Sequence, residues 1–121
     1  MPHINTWEKK GVLRKFTGNI QAEEILSSNF ALHEHPGFAK IAYIINDFTE
    51  ITGVSLDTSH TKIYASTDDI ISETKGKFNI AIVVNQDALA DLANSYRNEM
   101  KNRYFKCEIF KTVEDARKWV E

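Results

Sequence analysis

Phe38-Ala39-Lys40-Ile41-Ala42-Tyr43-Ile44-Ile45-Asn46-Asp47-Phe48 is the stretch on which the fold turns. Ile41 to Ile45 form a nearly unbroken apolar run, rich in residue types that favour strands. A run without polar alternation fits a strand covered on both faces, as in the middle of a parallel sheet. His35-Pro36-Gly37 ahead of it is a turn signal, and Asn46-Asp47 closes it. The pattern predicts a strand over 38–48, then a loop over 48–56 with Gly53 as its turn residue.

Upstream of this run, Ile4 to Glu8 and Val12 to Thr17 predict a hairpin around Lys9-Lys10-Gly11. Alternation puts Val12, Arg14 and Phe16 on one face of the second strand. Thr17-Gly18-Asn19 predicts the end of that strand, with Asn19 capping the next helix. Glu23 and Glu24 suit the positive end of its dipole, and Ile25, Leu26, Phe30 and Leu32 supply its apolar side.

Downstream, Asp57-Thr58-Ser59 are helix N-cap residue types, and a helix is predicted to about Thr74. Gly76 is its stop signal. Phe78 to Val84 reads as a second buried strand. Asn85 is expected to cap a third long helix with Ala88, Leu89, Leu92, Ala93, Tyr96 and Met100 as its apolar stripe. Tyr104 to Phe110 alternates as a strand. Thr112-Val113-Glu114-Asp115 resembles a capping box before a closing helix, whose inward residues are Val113, Ala116 and Trp119 or Val120. The order ββαβαβαβα predicts an α/β fold, with a mixed, mainly parallel sheet, an N-terminal hairpin and helices packed on the sheet.

The 121 residues fit one domain, taken as 1–121, and bury enough surface for a core without staples. The one cysteine, Cys107, rules out an intrachain disulfide and suits a reducing compartment. A net charge of -2 offers no global field for nucleic acid or an acidic membrane. No apolar stretch reaches membrane-spanning length, and the first residues carry no signal-peptide pattern. The expected address is the cytoplasm.

Catalytic and metal motifs are sparse. His33-Glu34-His35 cannot alone close a metal shell and reads as a solvated turn. Cys107 sits in a strand pattern and reads as a buried, inert thiol, because Lys106 alone does not make the electropositive niche of a reactive one. Asp47 and Glu50 follow the central strand's carboxyl end, where α/β sheets place ligands, but read as a polar loop. Arg97, Lys101, Arg103 and Lys106 read as basic residues complementing a helix C-terminus. The GxSxG, GxGxxG and P-loop patterns are absent. The expectation is a binding domain rather than an enzyme, with no catalytic residue, metal or cofactor.

Three local features, together with the element order, carry a family resemblance. They are the turn His35-Pro36-Gly37-Phe38 leading into Ile41 to Asp47, the passage from Asp47 to Ile63, and the tail from Ile80-Ala81-Ile82-Val83-Val84 through Cys107-Glu108-Ile109-Phe110 to Ala116 and Trp119. Over nearly its whole length the chain resembles the SpoIIAA-like (STAS-like) family. In STAS domains that regulate anti-sigma factors, an Asp-Ser-Ser-Gly type motif carries a phosphoacceptor serine at the start of a helix. The matching residues are Asp57-Thr58-Ser59-His60. Ser59 stands at the acceptor position, and His60 replaces the glycine.

The resemblance implies a protein-interaction or regulatory module, with a binding or switch loop comprising Asp47, Asp57, Thr58, Ser59 and His60. The fold's likeness to CRAL-TRIO lipid-binding domains implies the alternative of a small apolar ligand. Phe48, Ile51, Leu56, Ile63 and Tyr64 would line its pocket between helices and sheet. The opening strand, as a sheet edge, favours a homodimer.

Overall fold

In the computed structural model, which describes residues 3–55, 58–75, 78–100 and 105–120, five strands form one sheet in the order β1-β2-β3-β4-β5. They are β1 (His3–Trp7), β2 (Gly11–Gln21), β3 (Tyr43–Ser55), β4 (Phe78–Val83) and β5 (Phe105–Phe110). β1 is antiparallel to β2, and every other pairing is parallel. The helices are α1 (Ala22–Glu34), α2 (Thr58–Lys75), α3 (Asp87–Glu99) and α4 (Val113–Val120). The observed order is ββαβαβαβα, and the stretch 43–45 lies at the middle of the sheet.

Strand alternation divides the core in two. Val12, Phe16, Ile44, Ile80, Ile82, Phe105 and Cys107 point towards α1, α2 and α3 and pack with Ile25, Leu32, Tyr64, Leu89, Ala93 and Tyr96. Tyr43, Ile45, Ala81 and Val83 point the other way and are covered by Ala116 of α4, with Val113, Trp119 and Val120 around it. The interior strands are therefore apolar on both faces, as the unbroken run at 41–45 required.

Several boundaries differ from the sequence expectation. Residues 38–40 are not strand: Pro36–Lys40 forms a short 3₁₀ helix, in which the Phe38 amide donates to the His35 carbonyl at 3.0 Å. Pro36 fixes its first φ, which favours a helical turn at that point. Thr17-Gly18-Asn19 does not end β2. Gly18 takes φ +75, and the register with β3 shifts between Lys15 and Thr17 and again between Gly18 and Asn19. The glycine thus makes a bulge, and the strand continues. Helix α1 is accordingly capped not by Asn19 but at Gln21, whose amide donates to Glu24 Oε2 at 3.3 Å.

The expected loop at 48–56 is strand as far as Ser55. The extra length of β2 gives β3 a partner there, with Thr17 opposite Glu50 and Gln21 opposite Ser55. β4 pairs only with Tyr43 to Asp47. Beyond that point two amide side chains meet the open edge of β3. Gln86 Nε2 donates to the Ile51 carbonyl at 3.1 Å, and Asn85 Nδ2 to the Thr49 carbonyl at 3.4 Å. The N-cap of α3 is Gln86 rather than Asn85. The expected stop at Gly76 lies outside the described residues.

Helix α4 is clasped to the hairpin. Arg117 Nη1 and Nη2 donate to Glu8 Oε1 and Oε2 at 2.9 and 2.6 Å, and the Tyr43 hydroxyl also donates to Oε1. Gly11 leaves room for that tyrosine, since a Cβ there would lie 2.3 Å from its ring. The Arg117 donors hold the Glu8 carboxyl below its ordinary 4.5, against a smaller opposing effect of burial. Its folded pKa is depressed, so the clasp's stabilisation is present above pH 4.5 and is lost as pH falls through the folded value. Glu8→Gln is expected to cost about 1–2 kcal/mol at pH 7, discounted for partial exposure. Urea melts at pH 7 and pH 3 check this: the gap between wild type and variant should close at the lower pH.

Candidate functional site

Between the sheet and helices α1, α2 and α3 lies a cavity of about 90 Å³ that is not fully sealed. Phe16, Ile44, Ile80, Ile82, Val84 and Phe105 form its apolar floor, and Leu32, Tyr64, Leu89 and Ala93 its helical wall. Set among them are Arg14, Asn29, His33, Asn46, Asp68 and Tyr96. The cavity is therefore apolar in area but ringed by polar side chains.

Arg14 is the central feature. It occupies an inward position of β2 between Val12 and Phe16 and is only 2% exposed. Its Nη1 donates to Asn29 Oδ1 at 2.8 Å, and its Nη2 donates to Ser28 Oγ, which in turn donates to the Ile25 carbonyl. The guanidinium sits 5.1 Å from the centre of the Phe16 ring. Nε has no partner. Burial lowers the Arg14 pKa to about 10, with the field of Asp68 as the main opposing effect. At neutral pH it stays a cation.

Asp68, 6% exposed on α2, accepts a hydrogen bond from the Tyr96 hydroxyl on α3 and lies 3.4 Å from His33 Nε2 on α1. One carboxylate thus joins three helices. Burial pushes the Tyr96 phenol far above its ordinary value, and the charge of Asp68 adds to the shift. His33 is not the solvated turn residue its sequence neighbourhood suggested. Its ring is buried 5.1 Å from Phe38, and its Nδ1 has no partner. His35 does stand in the exposed turn, where its Nδ1 accepts from the Gly37 amide and its ring stacks on Trp7. Asn46 Oδ1, also in the cavity lining, has no partner either.

The expected pocket residues divide. Phe48 and Tyr64 line the cavity, and the Tyr64 hydroxyl donates to the Ala22 carbonyl at 2.9 Å. Ile51 is buried in the same core but does not reach the cavity. Ile63 points outward, 49% exposed, which corrects its placement in a pocket. Leu56 lies outside the described residues.

The expected switch residues also separate. Asp47 is a buried strand residue, not a loop residue. Its Oδ1 accepts from the Thr49 amide at 2.9 Å and the Thr49 hydroxyl at 2.7 Å. Alternation puts it on the α4 side with Tyr43 and Ile45. Glu50 pairs instead with Lys15 across the β2–β3 ladder. Ser59 is exposed and His60 half-buried in the first turn of α2, on the opposite side of the sheet. Asp57 and the side chain of Thr58 are outside what the structure describes.

Cys107 faces the buried core, where burial raises its thiol pKa well above the ordinary value. Among the described residues, no group of three or more His, Cys, Asp or Glu side chains is placed to hold a metal ion, and no helix is long and apolar enough to cross a membrane.

No protein-family model matches the chain, and no curated protein matches it in sequence. Solved structures do match. The anti-sigma factor antagonist SpoIIAA in its unphosphorylated form superposes with a TM-score of 0.59, covering 98% of this chain and 96% of that one at 10% identity. The fold is SpoIIAA-like. A DUF3478-family protein from Shewanella loihica PV-4, itself described as having a SpoIIAA-like fold, matches at 21% identity over 98% of this chain and 92% of its own, with a TM-score of 0.49. In this chain α2 follows β3, so its first turn lies at the carboxyl end of the parallel strands.

Sequence reasoning missed Arg14, Asn29, His33, Asp68 and Tyr96 as a group. A signal for one of them was present. Arg14 alternates with Val12 and Phe16, so it shares a strand face with two large apolar residues.

Proposed function

We propose that this chain is a non-enzymatic regulatory domain that docks on a protein partner through the first turns of α2. The observation that supports it is the pair Ser59 and Ile63. They are four residues apart and so share one helix face. Both are exposed, and Ile63 is one of the few large apolar side chains exposed among the described residues. A helix N-terminus carries free amides and a positive dipole end, so a phosphate on Ser59 would be tolerated locally. Such a charge would be read by a docked partner rather than unfold the domain.

A photo-crosslinking residue placed at Ser59 is expected to capture one discrete partner in cells of the source organism. The same residue at Glu114, exposed on α4, serves as the control. Capture should disappear when Ile63→Glu is added. An identical product from position 114, or capture indifferent to Ile63→Glu, would remove this reading. β1 is an edge strand with Ile4 66% exposed, so pairing of two copies along it is the route proposed for a homodimer.

The cavity favours a second reading, in which a small molecule is bound. At about 90 Å³ the space falls well below that of a drug-sized pocket, roughly 300 Å³ or more. A long, lipid-like acyl chain does not fit it. The ligand of this reading is small and has a polar end.

A further inference from the structure

We propose that the cavity is a binding site for a small organic acid with a single carboxylate, of the size of acetate to butyrate, held by Arg14. The proposal rests on the small-ligand reading and is independent of partner docking at α2.

The buried cation carries the argument. Among the described residues, no carboxylate pairs directly with the Arg14 guanidinium. Its bonded partners, Asn29 and Ser28, are neutral, and its Nε is unbonded. A buried charge held only by neutral groups is costly, and an unmade buried hydrogen bond adds to the cost. Asp68 acts on Arg14 only at longer range, and its oxygens are engaged by Tyr96 and faced by His33. A ligand carboxylate in the cavity would supply both the missing charge and the missing acceptor.

Size and charge narrow the class. A cavity of 150 Å³ accepts benzene, so 90 Å³ suits about four to six non-hydrogen atoms. Apolar walls such as Ile44, Ile82 and Leu89 suit a short alkyl tail. A second negative charge is opposed by Asp68 in the same lining, so a monoanion is favoured over phosphate or a dicarboxylate. The unpartnered amide oxygen of Asn46 gives a hydroxyl on the ligand a place to bond. A 2-hydroxy acid should therefore bind more tightly than the plain acid of equal length.

The test is thermal melting of the full chain, with isothermal titration, in sodium propionate, lactate, phosphate and chloride at matched ionic strength. Propionate and lactate are expected to raise the melting temperature by roughly 5 °C or more at saturation, and phosphate and chloride not to. Arg14→Met should abolish the shift. If that variant does not fold, Ala93→Leu, which fills the cavity from α3 without touching Arg14, should weaken binding by about tenfold or more. Equal shifts in phosphate, or a propionate shift that survives both variants, would overturn the proposal. Neutral n-propanol separates the failures. Propanol binding that Ala93→Leu removes, with no effect of the acids, overturns the acid while sparing the cavity. Silence from every probe removes both.

Discussion

Asp68→Ala is expected to lower the unfolding free energy by about 3–5 kcal/mol. The carboxylate is 6% exposed, accepts from Tyr96 and faces His33. Its removal leaves a buried phenol without its acceptor and takes away the main compensating field at Arg14. Uncompensated buried groups, rather than a lost favourable bond, account for the size of the effect. Urea denaturation at pH 7 measures it, and a double-mutant cycle with Arg14→Met isolates the Arg14 share. Replacing the cation too should recover part of the loss, with a coupling of about 0.5–3 kcal/mol. A loss below about 1 kcal/mol for the single variant would mean that Asp68 is already well hydrated and the ring of polar groups is no network.

Phe105→Ala is expected to cost a comparable amount, about 3–5 kcal/mol, for a different reason. Phe105 is 1% exposed and lies 5.0 Å from Phe78, which is 5.6 Å from Phe38 in turn. These rings run across the core from β5 to the 3₁₀ helix, and the last of them meets His33. Truncation forfeits the transfer free energy of the ring and opens a void contiguous with the existing cavity, which Phe105 lines. Phe30→Ala is the contrast. That ring is 49% exposed on α1, and its loss should stay within about 0.5 kcal/mol. If the two variants melt together, the ring chain is not what holds β5 to the helical layer.

The fold was readable because burial on two faces writes itself into composition. The apolar runs at 41–45 and 78–84 announce the interior strands β3 and β4, although β3 begins only at Tyr43 and β4 ends at Val83, and short helical stripes between them force parallel crossovers. The extension of β3 was not readable. Thr49, Glu50, Thr52 and Gly53 look like a loop, and the strand reaches Ser55 only because β2 runs on past Gly18, with Asn19, Ile20 and Gln21 opposite Gly53, Val54 and Ser55. That continuation depends on a bulge, which in sequence is indistinguishable from a turn. The polar cavity was hidden for a related reason. Arg14, Asn29, His33, Asp68 and Tyr96 come from one strand and three helices, and Asn29, His33 and Asp68 each alone pass for surface residues on an amphipathic element. Only the packing of α1 to α3 against one side of the sheet turns them inward together.

The clasp between Glu8 and Arg117 spans 109 positions of sequence. A chain made from its N-terminus must therefore finish α4 before its first hairpin can be fastened. Until then β1 and β2 leave the ribosome with that anchor missing, and their open backbone edge is available to other nascent chains. Cells short of chaperones should thus lose this protein to aggregation during translation sooner than after it, and Glu8→Gln, which weakens the anchor by removing its charge, should lengthen that vulnerable interval.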